Sequence, residues 1–327
     1  MTSEPHRISV AIPVYRGAET LPALVDELSI LNKPFEIGDG SMAMVAEVLL
    51  VDDCGPDNSN QTIEMLARRF EFVRPVWLMR NFGQHAATIA GLASSRYEWV
   101  ITMDEDGLHD PQDIKLLLIT ALNERYNLVY GRPMEAEPHS RARNAASVSL
   151  KKLVVPLLLG KDRSFYFSSF RLMTGEVARS VAAFANQGVY LDIALRWMVQ
   201  DSAIADVHFR REGRDRSGYR LSTLASHFLR LVVSAGARPL RIASLIGLCS
   251  AIAGFVLVAV VFAQRLLGDI PVQGWTSMMA AFLVIGGLIL LMLGVLAEYM
   301  GAVVRRSLGA PLYVIATTPR GRNSNSQ

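Results

Sequence analysis

Short apolar segments alternate with amphipathic segments from the N-terminus as far as Gly131. Ile8–Val14, which is apolar except for Ser9, predicts a buried strand, and Glu19–Leu31 carries apolar residues at helical spacing. Because strands and helices alternate, we expect an α/β domain with a mostly parallel sheet covered by helices on both faces. The same reasoning predicts further strands at Glu47–Val51, Val73–Met79, Tyr97–Met103 and Asn127–Gly131, and helices at Asn58–Phe70, Gln84–Ser95 and Pro111–Glu124.

Two much longer apolar runs follow. Ile242–Gln264 and Trp275–Ala297 contain no Asp, Glu, Lys or Arg. As a helix, each would reach roughly 34 Å, whereas the hydrocarbon core of a bilayer is about 30 Å thick. They predict two transmembrane helices, and a pair of buried core helices is the alternative. Basic residues flank the pair on both outer sides and the loop at 265–274 holds a single Arg, so the positive-inside rule places both termini in the cytoplasm.

These runs predict three regions. We expect a cytoplasmic domain over 1–237, a membrane domain over 238–300 and a cytoplasmic tail over 301–327. Asn144–Leu159 and Leu221–Ala235 in the first region are amphipathic. Each would lie either in the membrane interface or against the core of the domain.

Composition and charge narrow the class of protein. The chain of 327 residues is 51% hydrophobic with a mean hydropathy of +0.26, which is apolar for a soluble protein. Its net charge of +3 is small and dispersed, so we expect no nucleic acid partner. Residues 1–7 are polar, so we expect no signal peptide and a multi-pass protein of the inner (cytoplasmic) membrane. Cys54 and Cys249 fall in different regions and are not expected to pair, which fits a reducing compartment.

Acidic side chains gather at the ends of two predicted strands. Asp52 and Asp53 end one strand, and Asp104 and Asp106 end another. Ligands of open α/β sheets bind at the carboxyl ends of the strands. An Asp-x-Asp pair there suits a divalent cation that holds a diphosphate, with His109 near enough to complete or orient the site. The alternative is a solvated turn that caps the following helix.

The first strand adds a further element of a nucleotide cleft. Pro13 and Tyr15 close that strand, and an aromatic ring in this place could pack against a base. Asp52 could accept hydrogen bonds from the base or from ribose hydroxyls, whereas Asp57 could be only a helix cap. Together with the two apolar runs, these residues predict an enzyme that moves a group from a nucleotide donor to a membrane-embedded acceptor.

At this point the residues resemble a known family. The chain is similar to glycosyltransferase family 2, which has the Rossmann-like GT-A fold, and within it to the polyprenyl-phosphate glycosyltransferases. The similarity runs in order over nearly the whole chain, including both apolar runs. The matching segments are Ile12–Tyr15, Val51–Asp53, Arg80–His85 with Ala90–Gly91, Met103–Asp106, Phe170–Met173, Arg238–Arg241 and Ala297–Gly301.

The resemblance implies substrates and site residues. It implies a nucleotide-sugar donor, with UDP favoured over GDP, a polyprenyl phosphate acceptor, a Mg²⁺ or Mn²⁺ ion and a homo-oligomer, often a tetramer in relatives. It implies that Asp104 and Asp106 are catalytic, with Asp106 at the metal. The family's usual Gln ligand is absent from this chain, and we expect His109 to take its place as metal ligand or neighbour. The residues implied for the nucleotide are Pro13, Tyr15, Asp52, Asp53 and Asp104.

The acceptor determines what else the protein must supply. A phosphate monoester, with a second pKa of about 6, is already an anionic nucleophile at neutral pH and needs no strong base. The enzyme must position it and hold its charge, and an in-line attack inverts the anomeric centre. Arg211 and Ser217 match a family segment, so Arg211 is favoured as the catalytic cation. The full set of basic candidates for the acceptor phosphate is Arg132, Arg141, Arg143, Lys151, Arg211 and Arg216.

The chain also departs from the family pattern. Gly17 stands where the family usually has a Glu that helps at the base, and Ser169 stands where an Asp often precedes Phe-Arg-Leu. Two other functions therefore stay open: a catalytically silent GT-A scaffold or translocation partner, and a processive polysaccharide synthase. Ile193 in place of the Gln of Gln-x-x-Arg-Trp, and the presence of only two spans, count against the synthase.

Overall fold

The computed structural model describes residues 4–38, 40–134, 166–185, 190–210, 252, 256, 263, 274–307, 309 and 311–319. Contacts divide the chain into two compact units. One unit holds the described residues up to 210 together with 311–319, and the other holds those between 252 and 309.

In its described residues, the first unit is built around one sheet of nine strands. The strands are β1 (His6–Val14), β2 (Phe35–Glu36), β3 (Met42–Asp52), β4 (Val73–Leu78), β5 (Trp99–Thr102), β6 (Leu128–Pro133), β7 (Arg171–Thr174), β8 (Ala203–Val207) and β9 (Ile315–Ala316). The helices are α1 (Leu21–Ile30), α2 (Ser59–Arg69), α3 (Gln84–Ser94), α4 (Ile114–Glu124, preceded by a 3₁₀ turn at Pro111–Asp113), α5 (Gly175–Phe184) and α6 (Leu191–Met198).

The strand order is β8-β6-β7-β5-β1-β3-β4-β9, with β2 paired to β3. β1 runs parallel to β3 and β5, and β3 runs parallel to β4. β7 is antiparallel to both of its neighbours, and β9 is antiparallel to β4. The predicted α/β domain with a mostly parallel sheet is therefore confirmed. Every strand and helix predicted before Gly131 is present, with ends that differ by a few residues.

The continuous apolar runs are explained by helices on both faces of the sheet. Val48 and Leu50 of β3 belong to the apolar cluster that contains Leu24 of α1 and Ile63 of α2. The intervening Leu49 packs in a different cluster, with residues of α3. Successive side chains of a strand point to opposite faces of the sheet. When helices cover both faces, all of these side chains are buried, and the strand sequence does not alternate between apolar and polar residues.

The C-terminal residues extend the sheet of the first unit. The sequence predicts a separate tail over 301–327, but β9 pairs with β4, and Met79 N donates to Val314 O at 2.9 Å. Leu312 and Tyr313 pack against buried residues of the same unit. The chain therefore returns to the sheet next to the segment that follows β4. A strand of two residues leaves almost no periodic pattern, which is why the sequence did not reveal it.

The second unit contains one long described helix, α7 (Trp275–Ser307), which includes the predicted span Trp275–Ala297. Across the described residues, no helix reaches the combination of length and hydropathy that crossing a membrane requires. The two predicted spans stay unconfirmed. Most of the span Ile242–Gln264 lies outside the described residues, as do the predicted amphipathic helices Asn144–Leu159 and Leu221–Ala235.

Candidate active site

The carboxyl ends of β1, β3 and β5 lie side by side. Val14 at the end of β1 is in register with Asp52 of β3, and Asp53 N donates to Val14 O at 2.8 Å. On the other side of β1, Met103 N donates to Ala11 O at 3.2 Å. The parallel order of the strands thus brings the two predicted acidic segments to either side of the residues that follow β1, as the sequence predicts.

Pro13 and Tyr15 are placed differently at the end of β1. Pro13 is buried and paired with Val51, so it shapes the strand end from inside the sheet. Tyr15 is 40% exposed, and the Arg16 guanidinium lies 5.7 Å from its ring centroid. The ring of Tyr15 is therefore accessible at the ends of these strands, and its stacking on a base stays a prediction.

Asp53 holds the segment between β4 and α3. Its carboxylate is buried and accepts hydrogen bonds from Phe82 N at 2.7 Å and Gly83 N at 2.9 Å. Burial raises the pKa of Asp53, and the two N–H groups oppose that rise. Both oxygens are therefore committed to the fold, and the predicted contact of Asp53 with the nucleotide stays a prediction.

Asp52 is buried, and within the part of the chain that the structure describes no basic side chain forms an ion pair with it. Burial, and next the charge of Asp53, raise the pKa of Asp52 to about 6. The turn after Asp53 comes so close to the residue that follows β1 that a Cβ on Gly55 would lie 1.6 Å from Tyr15 O. Asp52 is consequently a carboxylate that the fold stabilises poorly in its ionised form, beside the loop that carries Tyr15.

Asp52→Asn is expected to stabilise the protein and to weaken nucleotide binding. A folded-state pKa of about 6, raised from 3.8, means that the stability linked to this group is lost as the pH rises through about 6. At pH 7.5 the neutral Asn should raise the free energy of unfolding by on the order of 2 kcal/mol, and this gain should shrink at pH 5. Unfolding and nucleotide titrations at both pH values test this, with the exposed Asp201→Asn as control. Equal stability of wild type and variant at pH 7.5 would contradict it.

Asp104 is held from two sides. Its Oδ1 accepts from Gln84 Nε2 and its Oδ2 accepts from Ser169 Oγ, both at 2.6 Å. Ser169 stands at the position where the family often has an Asp. Its hydroxyl donates to Asp104, whereas an Asp at this position would place a second negative charge beside Asp104. Sequence reasoning gave neither Gln84 nor Ser169 a role. The motif around Gln84 marked the segment, but no local pattern links it to Asp104.

Asp106 lies in the loop Asp104–Asp110, called the acidic loop below, and is exposed. Its Oδ1 accepts from Leu108 N at 3.1 Å. Reduced hydration in the loop raises the pKa of Asp106, and the nearby charge of Asp104 adds to the rise. Asp110 caps the 3₁₀ turn at Pro111–Asp113, because its Oδ1 accepts from Gln112 N at 2.9 Å. The alternative of a solvated turn stays open for Asp104 and Asp106.

His109 is a buried residue of the acidic loop. Its ring is 2% exposed, stacks on Phe170 at 4.9 Å and meets the edge of Phe209 at 5.0 Å. Its Nδ1 accepts from Asp104 N at 3.1 Å, and burial lowers the pKa of His109. A neutral imidazole that accepts at Nδ1 carries its proton on Nε2, so in this arrangement it offers no lone pair to a cation. The predicted metal contact of His109 would require the bond to Asp104 N to break.

The acidic loop fits a metal site that the substrate completes. The described segments contain no group of three or more His, Cys, Asp or Glu residues arranged to hold a metal ion. Asp104 and Asp106 supply two neighbouring carboxylates, whose mutual repulsion a cation would relieve. Mg²⁺ keeps most of its six positions for phosphate oxygens and water when protein carboxylates are few. These residues therefore suit an ion that arrives with a diphosphate.

A buried polar network supports Asp104 from behind. Arg171 is 6% exposed, forms an ion pair with Asp192 and donates from Nε to Thr102 Oγ1 at 3.1 Å. Tyr130, whose pKa burial raises, donates from its hydroxyl to Asp192 at 3.2 Å. Thr102 in turn donates to Ser169 O at 2.6 Å. The network connects the core to the residue that donates to Asp104, and sequence reasoning assigned none of it.

The structure describes one of the predicted acceptor-phosphate residues. Arg132 is exposed and donates to Asp206 at 2.7 and 3.1 Å, so a phosphate would have to compete for its guanidinium. Arg210 donates to Glu27 at 2.8 Å, and its Nη2 lies 3.0 Å from Oδ1 of Asp110 in the acidic loop. These two contacts hold Arg210, the residue before the predicted Arg211, against the first unit. The other candidates lie outside the described residues, namely Arg141, Arg143, Lys151, Arg211, Arg216 and Ser217.

A model of glycosyl transferase family 2 matches residues 9–181, more than half of the chain. The chain belongs to glycosyl transferase family 2. The predictions of this family and of a glycosyltransferase are thereby confirmed. A second model, the GtrB C-terminal hairpin, matches residues 238–303, where the sequence predicts the two spans.

This family 2 chain matches two relatives over more than nine tenths of their length and of its own. It is 27% identical over 317 residues to the undecaprenyl-phosphate 4-deoxy-4-formamido-L-arabinose transferase of Yersinia enterocolitica, covering 94% of this chain and 92% of that protein. It is 27% identical over 322 residues to the bactoprenol glucosyl transferase of Shigella flexneri, covering 96% and 99%. Among solved structures, glucosyl-3-phosphoglycerate synthase from Mycobacterium tuberculosis, with Mn²⁺ and UDP-glucose, matches with a TM-score of 0.49 and 18% identity, covering 71% of this chain and 79% of that one.

Proposed function

We propose that this glycosyltransferase moves a monosaccharide from a nucleotide sugar, with UDP favoured, to a polyprenyl phosphate and thereby makes a lipid-linked sugar. The proposal is carried by one observation: Tyr15, Asp52, Asp104 and Asp106 lie at or just after the carboxyl ends of three neighbouring parallel strands, at one edge of the sheet. Ligands bind at this edge in open α/β sheets.

The donor would bind across these three strand ends. The exposed ring of Tyr15 can stack on a base, and Asp52 beside it can accept a hydrogen bond from the base or the ribose. Asp104 and Asp106 would hold a divalent cation, Mg²⁺ or Mn²⁺, against the diphosphate. That ion would neutralise charge on the departing nucleotide. Gln84 and Ser169 keep the Asp104 carboxylate in one orientation for this task.

The acceptor is inferred from the relatives. Proteins named as undecaprenyl-phosphate and bactoprenol transferases match this chain over almost its whole length. A membrane-anchored enzyme of the inner membrane, with its catalytic unit in the cytoplasm, would meet such a lipid. The exposed apolar side chains of α7, among them Met278, Phe282 and Ile285, support this location because large apolar surfaces favour apolar surroundings.

The reaction balances without a general base. An oxygen of the anionic acceptor phosphate forms a bond to the anomeric carbon while the bond from that carbon to the nucleotide diphosphate breaks, which inverts the centre. No proton has to be removed from the nucleophile at neutral pH. The presence of Ser169 where relatives often have an Asp agrees with this, since its hydroxyl serves Asp104. Arg211 is proposed to hold the acceptor phosphate.

The test is transfer of label from a panel of radiolabelled UDP- and GDP-sugars to undecaprenyl phosphate by the full chain in detergent. We expect a lipid-extractable product from at least one donor with Mg²⁺ or Mn²⁺, and loss of that product with EDTA. A folded chain that binds none of these nucleotides and forms no product would contradict the proposal and favour a catalytically silent scaffold.

A further inference from the structure

The four residues that follow β1, Tyr15–Ala18, form a loop whose backbone is held by side chains from distant segments. Each of their consecutive N–H groups donates to a side-chain oxygen, and none of these acceptors is local in sequence. The bonds run from Tyr15 N and Arg16 N to Glu105 at 3.0 and 2.9 Å, from Gly17 N to Ser59 Oγ at 2.9 Å, and from Ala18 N to Asp57 Oδ2 at 3.1 Å.

Glu105 makes two of these four bonds. It lies between Asp104 and Asp106 in the acidic loop, and its two carboxylate oxygens accept from Tyr15 N and Arg16 N respectively. Hydrogen bonds between a carboxylate and backbone N–H groups are among the stronger ones in proteins. One side chain therefore fixes the distance between the loop that carries Tyr15 and the two carboxylates assigned to the diphosphate.

Gly17 leaves the space that Glu105 fills. A Cβ on Gly17 would come within 2.6 Å of Glu105 Oε2 and within 2.9 Å of Leu21 Cγ. Real Cβ atoms do not approach other atoms so closely. A larger residue at position 17 and Glu105 in its observed place therefore exclude each other.

We propose that Glu105 is a positioning residue for the nucleotide, which holds the Tyr15–Ala18 loop in the conformation that presents Tyr15 to the base. It is not a catalytic residue, because both of its oxygens are used by the backbone of that loop. Gly17 is the complementary half of the arrangement, since its missing side chain admits the Glu105 carboxylate. This proposal rests on the proposed function, because it takes the nucleotide to bind beside Tyr15.

The test compares four full-length proteins: wild type, Glu105→Ala, Gly17→Ala and the double variant. Affinities for UDP and GDP are measured with Mg²⁺ present, together with donor KM and kcat in the transfer assay. We expect Glu105→Ala to raise the nucleotide Kd and the donor KM by about tenfold, because the loop loses two charge-assisted bonds, with a smaller change in kcat. Gly17→Ala should weaken binding in the wild-type background and have a clearly smaller effect in Glu105→Ala, where the clash with Glu105 is gone and only the contact with Leu21 remains.

The controls separate this role from general damage. Glu98→Ala removes a half-exposed carboxylate just before β5, at the opposite end of that strand, and should leave the Kd unchanged. Glu105→Gln keeps the shape of the side chain and one accepting oxygen, so its Kd should lie between those of wild type and Glu105→Ala. An unchanged Kd in Glu105→Ala, or independent effects of the two Ala substitutions, would overturn the proposal while leaving the proposed function intact. A folded wild-type chain that binds neither nucleotide would overturn both.

Discussion

Replacing Asp106 by Asn is expected to lower the rate of sugar transfer by at least about 10²-fold. Asp106 is the exposed carboxylate of the acidic loop and lies near Asp104, which is partly buried. A cation and a diphosphate from solution can therefore reach the Asp106 carboxylate. An Asn keeps the shape of the side chain but removes the negative charge that would attract the ion. Initial rates of label transfer at saturating donor and acceptor measure the effect.

The fold should not suffer from this substitution. The pKa of Asp106 is raised, so its ionised form is disfavoured in the folded state and a neutral Asn should leave the stability equal or slightly higher. Asp201→Asn removes an exposed carboxylate before β8 and should retain full activity. Transfer by Asp106→Asn at more than half the wild-type rate would exclude an essential role for this carboxylate. A silent scaffold would show no transfer in either protein.

Arg171→Met is expected to lower the free energy of unfolding by about 3–5 kcal/mol, because it leaves Asp192 buried without its cation. Asp192 is 4% exposed, and the hydroxyl of Tyr130 would be its remaining partner among the contacts described above. Nucleotide binding should also weaken, since Arg171 connects through Thr102 to Ser169 and thus to Asp104. Denaturant unfolding of the full chain, followed by tryptophan fluorescence, measures the loss.

Two further proteins sharpen this experiment. Arg132→Met breaks an ion pair whose two side chains are about half exposed, and it should cost far less stability because water already screens that pair. The double variant Arg171→Met/Asp192→Leu should recover much of the loss, because it removes both buried charges together. Equal and small losses for Arg171→Met and Arg132→Met would show that the buried pair contributes no more than the exposed one.

Much of the fold and the location of the site followed from local patterns. Ile8–Val14 is apolar except for Ser9, and so apolar a run indicates an element that is buried on both faces, so the central strand could be recognised directly. Alternation of strands and helices then required parallel pairing of neighbours. Because parallel strands end at the same edge, Asp52 and Asp104 could be assigned to one cleft before any coordinates were known.

The later strands could not be recognised in the same way. β7 has four residues, β8 has five and β9 has two, and apolar patterns of that length do not distinguish strand from loop or helix. β7 enters the sheet between β5 and β6 in the antiparallel direction, which no alternation rule predicts. β9 joins the sheet only after the long helix α7, so its pairing with β4 depends on contacts distant in sequence.

The sequence by itself determined the α/β class, the family and the edge of the sheet at which the acidic residues meet. Periodicity can be read from neighbouring residues, and the alternation of strands and helices along the chain implies parallel strands. Tertiary structure alone decided what each acidic side chain does there. Asp53 binds the backbone after β4, Glu105 binds the loop after β1, and Asp104 is held by Gln84 and Ser169. Asp52 and Asp106 accept from backbone N–H groups of their own turns. Hydrogen bonds depend on distances of about 3 Å between atoms, and residues far apart in the chain reach those distances only when the complete fold has formed.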